Sequence, residues 1–136
     1  MILSLFQLFN LNLNMIMPSS ASQPVSFSVF EEDLDEASFI KFRDVPILAV
    51  DTEAMGLIHG RDRLCLVQIC DPDDNVRCIK IKPGQTTAPR LKKLMEETSI
   101  EKVFHFARFD VAALKANLDI DVNPIFCTKI ASKLGR

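Results

Sequence analysis

Residues 47–56 read Ile47-Leu48-Ala49-Val50-Asp51-Thr52-Glu53-Ala54-Met55-Gly56. The apolar run Ile47–Val50 is short and contains Ile and Val, which predicts a buried strand in the middle of a sheet. Successive side chains on a strand alternate faces, so Asp51 and Glu53 point the same way. The strand is expected to leave the core there, at the edge where open α/β sheets hold their ligands. Two carboxylates on one face raise each other's pKa unless a cation lies between them. Hard oxygen donors of this kind suit Mg²⁺ or Mn²⁺. The plainer alternative is a strand that ends in a polar turn.

Downstream, Leu64–Cys70 (LCLVQIC) predicts a second buried strand. Asp71-Pro72-Asp73-Asp74-Asn75 has the composition of a turn. Val76–Ile81 predicts a third strand, and short polar connections make the three an antiparallel meander. Thr87 is placed to cap a helix running to Glu97, with Leu91, Leu94 and Met95 on its buried face. Lys102–Phe106 predicts a fourth strand and Phe109–Leu118 a helix. A helix between the third and fourth strands implies a crossover, which sets the fourth parallel to the first. Pro124–Cys127 predicts a short further strand, with Thr128 capping a helix from Lys129.

Upstream, Val25–Phe30 alternates apolar residues with serine and predicts an edge strand. The acidic stretch Glu31–Glu36 opens a short helix through about Phe42, since acids favour a helix N-terminus. Residues 1–17 are apolar but broken by Asn and Gln, too short to span a bilayer, and lack a basic leader. Pro18–Pro24 has the composition of a linker. Residues 1–24 are therefore expected to be a disordered extension and linker ahead of one domain at 25–136. The other reading of 1–17 is a membrane-surface or partner-binding segment.

The 136 residues suffice for a single core, and 25% charged with 48% hydrophobic is ordinary for a globular domain. The formal net charge of −2 does not by itself suggest a nucleic-acid binder. The balance is uneven, however: residues 1–88 carry a net −5 and residues 89–136 a net +3. That asymmetry suits phosphate binding near a carboxylate site, although charge runs are commonly solvated faces. Cys65, Cys70, Cys78 and Cys127 match no zinc spacing, so reduced core thiols in a cytoplasmic protein are expected.

If the fourth strand lies beside the first, Asp110 in His105-Phe106-Ala107-Arg108-Phe109-Asp110 lands near Asp51 and Glu53. Three convergent carboxylates are hard to explain as a solvated surface. In these residues the chain resembles the DEDD 3′–5′ exonucleases, and most closely the ribonuclease D group. Asp51-Thr52-Glu53 is similar to the first exonuclease motif and His105–Asp110 to the second; VPILAVDTEAMGL, RDRLCLVQICD, EKVFHFARFDVAAL and CTKIASKL extend the likeness over about residues 25–136.

The resemblance implies an α/β, ribonuclease H-like three-layer fold, with a mixed five-stranded sheet and helices on both faces. It implies two divalent cations, Mg²⁺ or Mn²⁺, with Asp51 bridging both, Glu53 on the first and Asp110 on the second. The implied reaction removes nucleotides from RNA 3′ ends such as those of tRNA precursors, with DNA ends as the alternative. Met55, Gly56 and Leu57 would lie against the terminal nucleotide, with His105 and Phe109 as further substrate contacts. A plain turn with a buried Leu57, a structural His105, merely solvated Arg61 and Arg63, and a hydrogen-bonded Gln68 are the competing readings.

The family's third motif, Tyr-x-x-x-Asp or His-x-x-x-Asp, has no counterpart. The chain contains no tyrosine, and neither Asp119 nor Asp121 follows a Tyr or His by four residues. The sequence therefore reads as the front part of such an enzyme, expected to be inactive alone. The readings from other classes are a fragment that binds nucleic acid or a partner without turnover, and a phosphatase with a strand-end Asp nucleophile.

Overall fold

The computed structural model describes residues 26–58 and 60–135. The expectations for residues 1–24 lie outside the described residues. Six strands form one mixed sheet: β1 Ser26–Glu31, β2 Ile47–Ala54, β3 Leu64–Cys70, β4 Asn75–Lys80, β5 Glu101–Phe104 and β6 Ile125–Cys127. The helices among the described residues are α1 Glu36–Arg43, α2 Pro89–Glu96, α3 Arg108–Leu118 and α4 Thr128–Leu134. None is long and apolar enough to cross a membrane.

The spatial order is β1-β4-β3-β2-β5-β6. The meander is antiparallel, as its short connections require, and β5 lies parallel to β2 after the α2 crossover. The sheet has six strands rather than the five implied by family resemblance, because β1 adds to β4 in parallel. The phase of β1 is unusual for an edge strand. Phe27 and Val29 are exposed while the serines face inward. Arg77 explains this: it stacks on Phe42 at 5.7 Å and donates to Ser26 O at 3.2 Å and to Ser38 Oγ at 3.1 Å, so the strand beside it must be small and polar.

Leu48 and Val50 of β2, Val67 and Ile69 of β3, Ile79 of β4 and Phe104 of β5 share one core with the helices. Leu91, Leu94 and Met95 come from α2 at the i, i+3, i+4 spacing of a buried stripe, and Ala113, Leu114 and Leu118 from α3, with Leu114 and Leu118 one turn apart. Both expected threonine caps are corrected. Neither α2 nor α4 has a side-chain cap from the residue before it. Instead Asp33 reaches across to accept the Arg90 and Leu91 amides at 2.8 and 3.0 Å, a carboxylate at the positive end of α2. Thr128 is itself the first residue of α4, and its hydroxyl donates to Phe104 O at 3.2 Å. In α1 the cap is local: Asp35 accepts the Ser38 amide at 2.9 Å.

Candidate active site

The site arises where β5 stops short. β2 pairs with β5 only over Ile47–Ala49, whereas on its other flank it pairs with β3 as far as Ala54. Beyond Phe104 the chain turns into α3, so one flank of β2 from Val50 onward has no strand beside it. Asp110 in the first turn of α3 fills that flank. Its Oδ1 accepts the Thr52 amide at 3.0 Å and the Thr52 hydroxyl at 2.7 Å, and both residues are buried. Asp51 and Glu53 thus lie inside β2, not at its exit as expected from the sequence. The opening beside them comes from a short neighbour.

Alternation puts Leu48, Val50 and Thr52 on the buried face and Asp51 and Glu53 on the other, with Glu53 exposed. Burial pushes the Asp51 carboxyl above its ordinary value, and the negative charge of Glu53 adds to the push. Burial also raises Asp110; its bond to Thr52 opposes the rise and the charge of Asp51 adds to it. The charge of Asp51 therefore disfavours the Asp110 anion, as that of Glu53 disfavours Asp51. Asp51 Oδ2 is buried and accepts no hydrogen bond among the described residues.

An orphaned carboxylate oxygen beside a second acid is an environment that a cation relieves. The donor set, oxygen only, fits a hard divalent ion. The fold brings Asp51 and Asp110 together and leaves Glu53 at the rim. Among the described residues no three Asp, Glu, His or Cys side chains form a ready metal-ligating group.

Met55, Gly56 and Leu57 follow directly on β2 in a loop whose base is closed by Met55 N–H donating to Arg63 O at 3.0 Å. Met55 and Leu57 are 71% and 78% exposed, so Leu57 projects into solvent rather than filling a buried turn. Gly56 does permit a close approach, but by the chain's own Asp62. A Cβ at Gly56 would stand 2.3 Å from Asp62 Oδ2. Asp62 also accepts the Ile58 amide at 3.0 Å and two bonds from Arg61 at 2.7 and 2.8 Å. Arg61 is thus paired within the loop, and Arg63 donates to Leu64 O and Ile81 O.

His105 and Phe106 lie outside β5, which ends at Phe104. His105 is exposed rather than turned into packing, and its Nδ1 is 2.9 Å from Thr128 Oγ1. The Thr128 hydroxyl lies between His105 Nδ1 and Phe104 O, at 2.9 and 3.2 Å, and holds the ring with Nε2 away from that contact. Burial dominates the rise of Asp51, and His105 is near enough to be the last of the influences that oppose it. Phe109 is half-buried in the first turn of α3. Gln68 lies opposite Asp51 in the ladder.

Two residues at the site escaped the sequence reading. Thr52 was visible only as the spacer between two acids; its role depends on Asp110, 58 residues away. Phe106 has φ +64°, unusual for a bulky residue, and nothing in the local pattern signals it.

Residues 27–135 match a family described as 3′–5′ exonuclease. The chain belongs to the 3′–5′ exonuclease family. Ribonuclease D of Nitrobacter hamburgensis is 32% identical over 92 residues, covering 68% of this chain and 24% of that protein. The structure of Brucella melitensis NrnC superposes with a TM-score of 0.75 at 44% identity, covering 80% of this chain and 52% of that one. NrnC from this source has also been solved with Mg²⁺ and with pGG. The Escherichia coli RNase D structure, with a TM-score of 0.61 at 24% identity over 74% of this chain and 26% of that one, shares the fold. The α/β, ribonuclease H-like architecture expected from the sequence is therefore that of its exonuclease relatives. This exonuclease-family chain spans about a quarter of the ribonuclease D relative and about half of NrnC.

Proposed function

We propose that Asp51, Glu53 and Asp110 are the carboxylates of a metal-dependent 3′–5′ exoribonuclease site acting on RNA 3′ ends, of the kind presented by tRNA precursors or short oligonucleotides. The observation that carries this reading is the half-buried Asp51, with its orphaned Oδ2, beside the buried Asp110, on the two segments that resemble the exonuclease motifs. Membership of the exonuclease family and the Mg²⁺ and pGG structures of NrnC support it. Asp51, Asp110 and Glu53 would hold two divalent ions, which when bound act as Lewis acids on the phosphodiester and lower the pKa of a water. Thr52 holds Asp110 in place. The Asp62-braced loop presents Leu57 and Met55 to a nucleotide at the rim, and His105 offers Nε2 as a proton acceptor.

A second reading, binding without turnover, is favoured by the absence of a three-ligand group among the described residues and of any tyrosine in the chain. Without a dedicated base, hydrolysis should be slower by about 10²–10⁴ than with one. The test is 3′-end trimming of a 5′-labelled single-stranded RNA and of pGG by the 136-residue chain in Mn²⁺ or Mg²⁺. Slow, metal-dependent shortening from the 3′ end, lost in Asp51→Ala and Asp110→Ala, is the expected result. Binding with no shortening would establish the second reading. DNA of the same sequence, trimmed equally well, would remove the RNA preference.

A further inference from the structure

The turn between β5 and α3 runs against the start of α4 in a one-to-one pairing. His105 bonds to Thr128, and the next residue, Phe106, carries the Lys129 ammonium 3.6 Å from its ring centroid. Phe106 is the feature that packing does not explain. Its φ of +64° is a conformation that Gly or Asn adopts readily and a phenylalanine does not. Its ring is 48% exposed and does not belong to the core cluster. An aromatic side chain held in a strained backbone conformation and left about half exposed, outside the core, gains little from burial to offset that strain. Strain of this kind concentrates at ligand sites.

From this juxtaposition we infer that Phe106 and Lys129 form a nucleotide-recognition platform at the mouth of the site: a base stacks on the exposed Phe106 ring, and the Lys129 ammonium pairs with a phosphate of the same strand. The inference rests on the nuclease reading above. It assigns two residues that carry no carboxylate, Phe106 within the second acid segment and Lys129 on α4. The positive φ turns the ring toward α4, where Lys129 covers one part of it and the rest stays open. An ammonium over an aromatic ring is a loose, exposed contact that a phosphate can recruit. Stacking plus a cation is the usual chemistry for holding single-stranded nucleic acid without reading its sequence. Phe106 lies four residues before Asp110 and beside His105, so a base on it would belong to a strand already bound at the acids.

The experiment separates stacking from folding by using the strain. Phe106→Gly and Phe106→Asn relieve the positive φ, so each should leave the melting temperature unchanged or raise it. Each should also weaken binding of pGG, titrated calorimetrically in Ca²⁺, by tenfold or more, the size of a lost base–aromatic stack. Phe106→Trp should retain binding, and Lys129→Met should weaken it. Equal pGG affinity in the wild type, Phe106→Gly and Lys129→Met would overturn this inference and leave the nuclease reading intact. No pGG binding by the wild-type chain would overturn both.

Discussion

Asp110 Oδ1 accepts both the amide and the hydroxyl of Thr52, and thereby takes the place of the strand that β5 fails to provide. The bond joins the two acid-bearing segments of the site. It fixes Asp110 beside Asp51, although burial pushes both carboxyls upward, the charge of Glu53 adding to the rise of Asp51 and the charge of Asp51 to that of Asp110.

Thr52→Val removes the hydroxyl bond and keeps the shape. A hydrogen bond to a charged acceptor is worth about 1.5–3 kcal/mol, so urea unfolding should show a loss of that order at unchanged slope. Thr52→Ser should recover most of it. Full stability in Thr52→Val would mean that Asp110 is held by other contacts.

Asp51 has a folded-state pKa above its ordinary 3.8. The folded protein therefore binds more protons than the unfolded chain just above that value, and stability falls as pH rises through the folded pKa. At pH 7 the cost of holding the anion is fully present. Asp51→Asn should raise the melting temperature at pH 7 in metal-free buffer, and the gain should vanish below about pH 4, where both states are protonated. A lower melting temperature at pH 7 would show that Asp51 is stabilised as an anion.

Lys102 is fully buried, and its ammonium donates to the carbonyls of Glu97 and Ile100 at 2.6 Å and of Asn123 at 2.5 Å. It ties the turn before β5 to the segment before β6. Burial pushes its pKa down to about 8, against the negative charge of Glu97. Lys102→Met would leave those carbonyls without their donor, at about 1–3 kcal/mol each, and should unfold the chain at markedly lower urea. The folded pKa lies below the ordinary 10.5, so wild-type stability relative to Lys102→Met should rise between about pH 8 and 10.5 as the ammonium is lost. A flat difference across that range would show that the carbonyls keep Lys102 charged.

Cys70 and Cys78 are buried, with Cys70 pushed up to about 12. Cys65 and Cys127 are half-buried. A thiol reagent followed by mass spectrometry should label Cys65 and Cys127 first, since the thiolate is the reacting form. Early labelling of Cys70 would show that the sheet opens locally.

What was legible in the sequence was whatever local pattern determines. The apolar run Ile47–Val50 announced the central strand, the short polar connections the meander, and Leu91, Leu94 and Met95 the buried face of α2. The two acid segments could be brought together by the crossover argument alone. What escaped were bonds between residues far apart in the chain. Thr87 looked like a cap because Asp33 could not be known to lie at the end of α2. Asp51 looked like the end of a strand because the early end of β5 decides where the sheet opens. Gly56 suggested a ligand's approach where Asp62 is the group that approaches. Phe106 left no trace, because backbone sign is not written in a single residue.

The central claim is that the Asp51–Asp110 pair holds a divalent cation, and calorimetric titration of Mn²⁺ into the metal-free chain tests it most directly. Saturable binding in the wild type, weakened at least tenfold in Asp51→Asn and in Asp110→Asn, is the predicted result. Heats that are absent in the wild type, or identical in all three proteins, would contradict it.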